Sequence, residues 1–160
     1  MVENSKNLLI KLIFLISVIA LVSAFFIEYV LGHQPCNLCI LERIPYLLAI
    51  IIILLNFKFS HYEKFFILLL SIIFLAGAII SLYHLGIEQG FIQESLVCDL
   101  KSGSNLLSKE EILKQLQEKN VSCKDVTFKI FGFSLTTLNI IISLLITITF
   151  TNIYFSYDKN

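Results

Sequence analysis

Four long stretches of this chain carry almost no charge, and they restrict its possible folds more than any other feature. They cover residues 12–27, 44–57, 65–87 and 130–157. A helix that crosses a bilayer needs about 20 mostly apolar residues to span about 30 Å of hydrocarbon. The third and fourth stretches reach that length, and the first does so once residues 29–31 beyond Glu28 are counted. The second would span only about 21 Å at about 1.5 Å per residue. It is therefore expected to extend back through Leu41, Glu42 and Arg43, with Pro45 at a kink or in a first helical turn. "LLAIIIILLNF" and "LNIIISLLITITF" offer water no polar face, which argues against a soluble helical bundle.

The expected fold is all-α, a four-helix transmembrane bundle forming a single integral membrane domain over residues 1–160. Its helices are expected near 12–31, 41–59, 65–87 and 131–157. Lys6 and Lys11 followed by Val22-Ser23-Ala24 resemble a secretory signal, but the apolar run continues through Phe25 and Phe26, which favours an uncleaved helix. The sequence contains no nucleotide-binding loop, Ser-His-Asp set, His-rich metal motif or internal repeat, and no nucleic-acid partner is expected.

Four spans put the first and third connections on one side of the membrane. The first, near 32–43, holds Cys36 and Cys39, and the third, near 88–130, holds Cys98 and Cys123. All four cysteines therefore face one compartment. Counting basic residues does not orient the chain, with five on the tails and short turn against seven on the cysteine side, although the seven are diluted by the acidic residues of the long loop. The first helix is more informative, with Lys6 and Lys11 before it and only Glu28 at its far end. Disulfides persist outside the cytosol, so the cysteine side is placed there. Within the long loop, "SKEEILKQLQEKN" opens with a capping box of Ser108 and Glu111, and Leu107 can staple onto Ile112. Ile112, Leu113 and Leu116 make a narrow apolar stripe, as in a short amphipathic helix lying on the membrane surface.

Three kinds of chemistry compete for the cysteines. C-x2-C is a common half of a zinc site, but its partner is normally a second close pair, whereas Cys98 and Cys123 are 25 residues apart. A purely structural disulfide suits that distant pair by restraining a long loop, yet one between Cys36 and Cys39 would close almost nothing. A redox-active close pair is the third reading, since C-x-x-C motifs can depress a thiol pKa and the thiolate is the nucleophile of disulfide exchange. Arg43 supplies a permanent cation nearby, and Pro35 stiffens the entry to the motif. An arginine at the hydrocarbon boundary either snorkels to the headgroups or serves a function. At that depth a lipid-soluble acceptor with polar carbonyls, such as a quinone, would find both an apolar slot and a donor.

"PCNLCILER" after the first span, "YHLGIEQG" leaving the third (residues 83–90) and the separated Cys98 and Cys123 resemble the bacterial disulfide bond formation protein B (DsbB) family. The resemblance covers nearly the whole chain and includes the four-span layout. It implies a quinone-linked oxidoreductase of the bacterial inner membrane, active loops facing the periplasm, that reoxidises a soluble DsbA-like partner of thioredoxin fold. On that pattern Cys98 and Cys123 exchange with the partner, and Cys36 and Cys39 lie beside the quinone, ubiquinone or menaquinone. Arg43 stabilises the quinone and His84 lies near it. The family pattern assigns no role to Ile44-Pro45. Two alternatives are a quinone-linked oxidoreductase of the vitamin K epoxide reductase type, in which the close pair follows a late helix, and a non-enzymatic zinc-stabilised membrane scaffold.

Overall fold

Helices account for nearly all of the computed structural model, which describes residues 2–93, 98, 122–124, 129–130 and 132–157. Helix α1 spans Val2–Tyr29, α2 Asn37–Leu41, α3 Ile44–Lys58, α4 Glu63–Glu88 and α5 Leu135–Tyr157, with a 3-10 turn at Ser60–Tyr62 before α4. Among the described residues, four segments are long and apolar enough to cross a membrane: Lys6–Tyr29, Asn37–Lys58, Glu63–Glu88 and Leu135–Ser156. The chain is thus a multi-pass, all-α membrane protein. The strands among the described residues form a short antiparallel hairpin, β1 (Lys129–Ile130) with β2 (Phe133–Ser134), leading into α5. The surface helix expected near Ser108 lies outside the described residues.

The second span is α2 and α3 separated by a turn at Glu42 and Arg43. Pro45 sits in the first turn of α3, where a missing N–H deprives no carbonyl of a helical partner. Its ring packs on Gly77 of α4, so closely that a Cβ built on that glycine would meet the ring Cγ at 2.9 Å. Small residues allow such close helix approach in bilayers, and this contact gives the Ile44-Pro45 step a packing role.

The bundle core runs through Ile13, Ala49, Ile53, Ile67, Phe74 and Phe150. Phe74 is edge-on to Tyr46 at 5.5 Å and stacks with Phe150 at 6.4 Å. Leu47, Leu54, Ile72, Ile79, Leu145 and Ile148 point outward and stay about half exposed. So much exposed apolar surface on every span is what a protein solvated by lipid presents. At one end, a Lys6–Glu63 ion pair of 3.3 Å ties α1 to α4. At the other, α4 stops at Gly90, whose φ of +77° is the left-handed conformation of a helix C-terminus.

Candidate redox site

Cys36 is the N-cap of α2, a place usually held by Ser, Thr, Asp or Asn, and its sulfur accepts the Cys39 backbone N–H at 3.3 Å. One turn of helix brings the two sulfurs to 2.9 Å, in direct contact and unbridged. Cys98 and Cys123 are joined by a disulfide with a Cα–Cα distance of 6.0 Å. The pairs are not remote from one another. Cys36, Leu38, Ile87 and Cys123 form one buried cluster, with Cys39, Tyr83 and Cys98 packed against it. The side-chain amide of Asn37 donates to the Cys98 carbonyl at 3.0 Å, linking the motif directly to the distant pair.

Below the thiols lies a polar network inside the span region. His84 on α4 is 2% exposed, with Nε2 at 3.5 Å from the Cys36 sulfur and Nδ1 at 2.8 Å from a Glu42 carboxylate oxygen. The other Glu42 oxygen accepts from the Asn139 amide at 3.1 Å. Asn139 also donates to Ser81 at 2.7 Å, and its carbonyl accepts the Tyr46 hydroxyl. Thr136 donates to Glu88 at 2.6 Å and stands 3.3 Å from His84 Nδ1. Ionisable residues at this depth are costly and face the bundle interior where they have work to do. The hydrogen bond from Cys39, helped by His84, outweighs burial and lowers the Cys36 pKa to about 5, which favours its thiolate form.

Arg43 points the other way. Its guanidinium pairs with Glu28 on α1 at 2.5 Å and lies over the Phe25 ring at 5.3 Å. Between α1 and α5 is a cavity of about 380 Å³. Ile16, Ala20, Ala24 and Ile142 supply its apolar walls, while Cys39, Glu42, Arg43, Tyr46 and Asn139 form a polar end. Apolar walls with a few convergent polar groups are the usual make-up of a small-molecule site. The donor set fits a quinone, since Arg43 carries N–H groups beyond the one given to Glu28 that suit a carbonyl oxygen and Cys39 borders the same space.

Of the residues singled out from the sequence, Cys36, Cys39 and His84 come together, Arg43 shares the cavity with Cys39, and the Cys98–Cys123 bridge packs alongside. Sequence reasoning gave no role to Glu42, Glu28, Thr136 or Asn139. One signal was available for Glu42, an acidic residue three positions after a cysteine and inside a membrane span.

The geometry defines a membrane protein with a thiol pair, one member of which borders an apolar cavity, and a disulfide packed beside it. The chain matches the family described as Disulfide bond formation protein DsbB over residues 6–153, and it belongs to that family of membrane disulfide oxidoreductases. It is also 33% identical over 150 residues to a protein of Rickettsia prowazekii (strain Madrid E) described as uncharacterized protein RP370, covering 91% of this chain and 85% of that one. No solved structure matches the chain at a significant level.

Proposed function

We propose that this protein is a protein-disulfide:quinone oxidoreductase of the bacterial inner membrane, a single membrane domain with its cysteine loops in the periplasm. It takes electrons from a DsbA-like dithiol partner and delivers them to membrane quinone. The observation that carries this reading is the joining of both cysteine pairs in one buried cluster whose Cys39 borders the cavity.

The Cys98–Cys123 disulfide is attacked by a partner thiolate, passes through a mixed disulfide and leaves as a dithiol. That dithiol in turn reduces a Cys36–Cys39 disulfide across the shared cluster. When the Cys36–Cys39 bond opens, His84 holds the charge left on Cys36, and Glu42 orients the imidazole. Arg43 is the residue that would hold a quinone at the polar end of the cavity, while Asn139 there holds the Glu42 carboxylate in place. Bound quinone supplies an acceptor for two electrons and two protons.

A strong acceptor is needed on thermodynamic grounds. A DsbA-type partner sits near about −120 mV and ordinary structural disulfides below about −300 mV, a gap of roughly 180 mV or about 8 kcal/mol. An ordinary disulfide therefore cannot oxidise such a partner, whereas one drained by a quinone can. The test is anaerobic mixing of the purified protein with reduced thioredoxin-fold partner and quinone, following quinone absorbance. Stoichiometric quinone reduction that needs all four cysteines is expected. Failure of the intact protein to reduce any quinone under these conditions refutes the assignment.

A further inference from the structure

We propose that the reduced Cys36–Cys39 pair and His84 form a binding site for one thiophilic divalent cation of the zinc class, present only while the pair is a dithiol. The proposal rests on thiol geometry and not on the identity of the electron acceptor. The Cys36 sulfur, the Cys39 sulfur and a His84 ring nitrogen all lie within 4.8 Å of one another. In a tetrahedral zinc site, with Zn–S near ~2.3 Å and Zn–N near ~2.0–2.1 Å, sulfur and nitrogen ligands stand roughly 3.5 Å apart and two sulfurs roughly 3.7 Å apart. The Cys36–His84 edge already measures 3.5 Å. The sulfurs, at 2.9 Å, have to separate, and Cys39 borders open cavity into which it can turn.

The second independent observation is the support behind the histidine. Glu42 holds Nδ1 at 2.8 Å and so leaves Nε2 for the sulfur side. A carboxylate behind a ligating imidazole is the usual outer shell of a protein metal site, fixing the tautomer and raising ligand basicity. Glu88 stands 4.0 Å from Nε2, and its Oε2 is buried without a partner, a free acceptor next to the ligand set. Two sulfurs and one nitrogen leave a fourth position open for water, as in zinc sites that exchange ligands.

Binding forms two metal–sulfur bonds and one metal–nitrogen bond and releases the proton of any thiol not already ionised. No electrons move. Formation of the Cys36–Cys39 disulfide removes both thiolate ligands, so cation and disulfide exclude one another. Zinc is therefore an inhibitor of the reduced protein that the oxidised protein escapes.

The experiment is anaerobic titration of Co²⁺ into the full-length Cys98→Ser/Cys123→Ser variant, reduced and in detergent, followed by displacement with Zn²⁺. One equivalent should produce a thiolate-to-cobalt charge-transfer band and the strong visible bands of tetrahedral cobalt. Oxidising the pair should abolish both. Glu42→Gln should weaken binding by about 10- to 100-fold without removing the bands, the range typical of lost outer-shell partners. His84→Gln should weaken it further and shift the visible bands. Circular dichroism checks that each variant folds. If the double serine variant does not fold, the reduced wild type is titrated against Cys36→Ser/Cys39→Ser and the difference is read. Absence of the charge-transfer band, equal binding by oxidised protein, or an unchanged spectrum and affinity in His84→Gln each overturns the proposal. None of these readouts depends on quinone reduction, so the two readings stand or fall separately.

Discussion

Arg43 has two possible jobs, and the structure separates them through Glu28. The guanidinium and the carboxylate meet at 2.5 Å with side chains 18% and 23% exposed, linking the turn after α2 to α1. A charge-assisted hydrogen bond is worth about 1.5–3 kcal/mol net, and the stack on Phe25 adds about 0.5–1 kcal/mol. Partial exposure pulls the first figure toward its lower end. Losing the pair and the stack together should therefore cost about 2 kcal/mol of stability in Arg43→Ala, and Glu28→Gln, which keeps the stack on Phe25, should cost about 1.5 kcal/mol or less. Quinone use should divide the two variants. A preorganised donor in an apolar site is commonly worth about 3 kcal/mol or more, so Arg43→Ala should lose about 10²-fold or more at limiting quinone. Glu28→Gln retains the guanidinium beside the cavity and should lose far less. Arg43→Lys keeps the charge without the planar fork and should fall between.

The assay is quinone titration of purified variants under steady turnover, with single-turnover exchange against the reduced partner measured separately. Exchange at Cys98 and Cys123 should survive in all three variants. Arg43→Ala with unchanged turnover and unchanged apparent KM for quinone would refute the donor role. So would equal losses in Arg43→Ala and Glu28→Gln, because the arginine would then act only by fastening α1.

Four further outcomes are expected. Either Cys98→Ser or Cys123→Ser should accumulate a covalent partner adduct on non-reducing gels. If only the Cys36 and Cys39 single variants trap one, the roles of the pairs are reversed. In metal-free reduced protein, a Cys36 pKa lowered to about 5 keeps this thiol ionised as pH falls from 8 to 6. Alkylation of Cys36 in Cys39→Ser is not a fair measure, since Cys39 is the main cause of the shift, so thiolate absorbance of the Cys98→Ser/Cys123→Ser protein is followed instead. It should fall mainly below about pH 6, and a midpoint near 9 counts against the geometry. Gly77→Ala should destabilise the bundle by about 1–3 kcal/mol in thermal unfolding, because the new Cβ meets a rigid proline ring at 2.9 Å. Reporter fusions at Ser60 and the C-terminus should read cytoplasmic and one near Ser104 periplasmic, and the reverse pattern removes the oxidase reading.

The spans were legible because a membrane helix needs no partner to declare itself. A run such as "LLAIIIILLNF" is apolar on all faces, and only lipid solvates that. The thiol pair was legible for a similar reason, since three residues of helix are enough to bring Cys36 and Cys39 together. Long-range partners were another matter. Glu42 meets His84 across 42 positions and Asn139 across 97, and nothing local to "CILER" says which way its carboxylate points. Arg43 was legible as a boundary cation, but its partner Glu28 lies on another helix and reads alone as a polar end to the first span. Pro45 signalled a break or first turn, whereas its contact with Gly77 depends on how closely α3 and α4 approach.

That break explains how adjacent residues serve different places. In one unbroken helix, Glu42 and Arg43 would be separated by about 100° around the axis and would share much of their surroundings. The turn between α2 and α3 parts them instead. Glu42 faces α4 and α5, where His84 and Asn139 take both its oxygens, and Arg43 faces α1, where Glu28 and Phe25 receive it. Pro45 keeps α3 from running back into α2, and Gly77 lets the proline ring close against α4. The cavity lies between these two directions, bordered by the buried carboxylate, the guanidinium and Cys39 together. A helix end shaped by one proline thus brings a thiol, an anion that orients its histidine neighbour and a cation to the edge of one apolar slot. The proposed electron transfer from sulfur to a lipid-soluble acceptor would use all three there, since negative charge has to be held first on the thiolate and then at the slot's polar end.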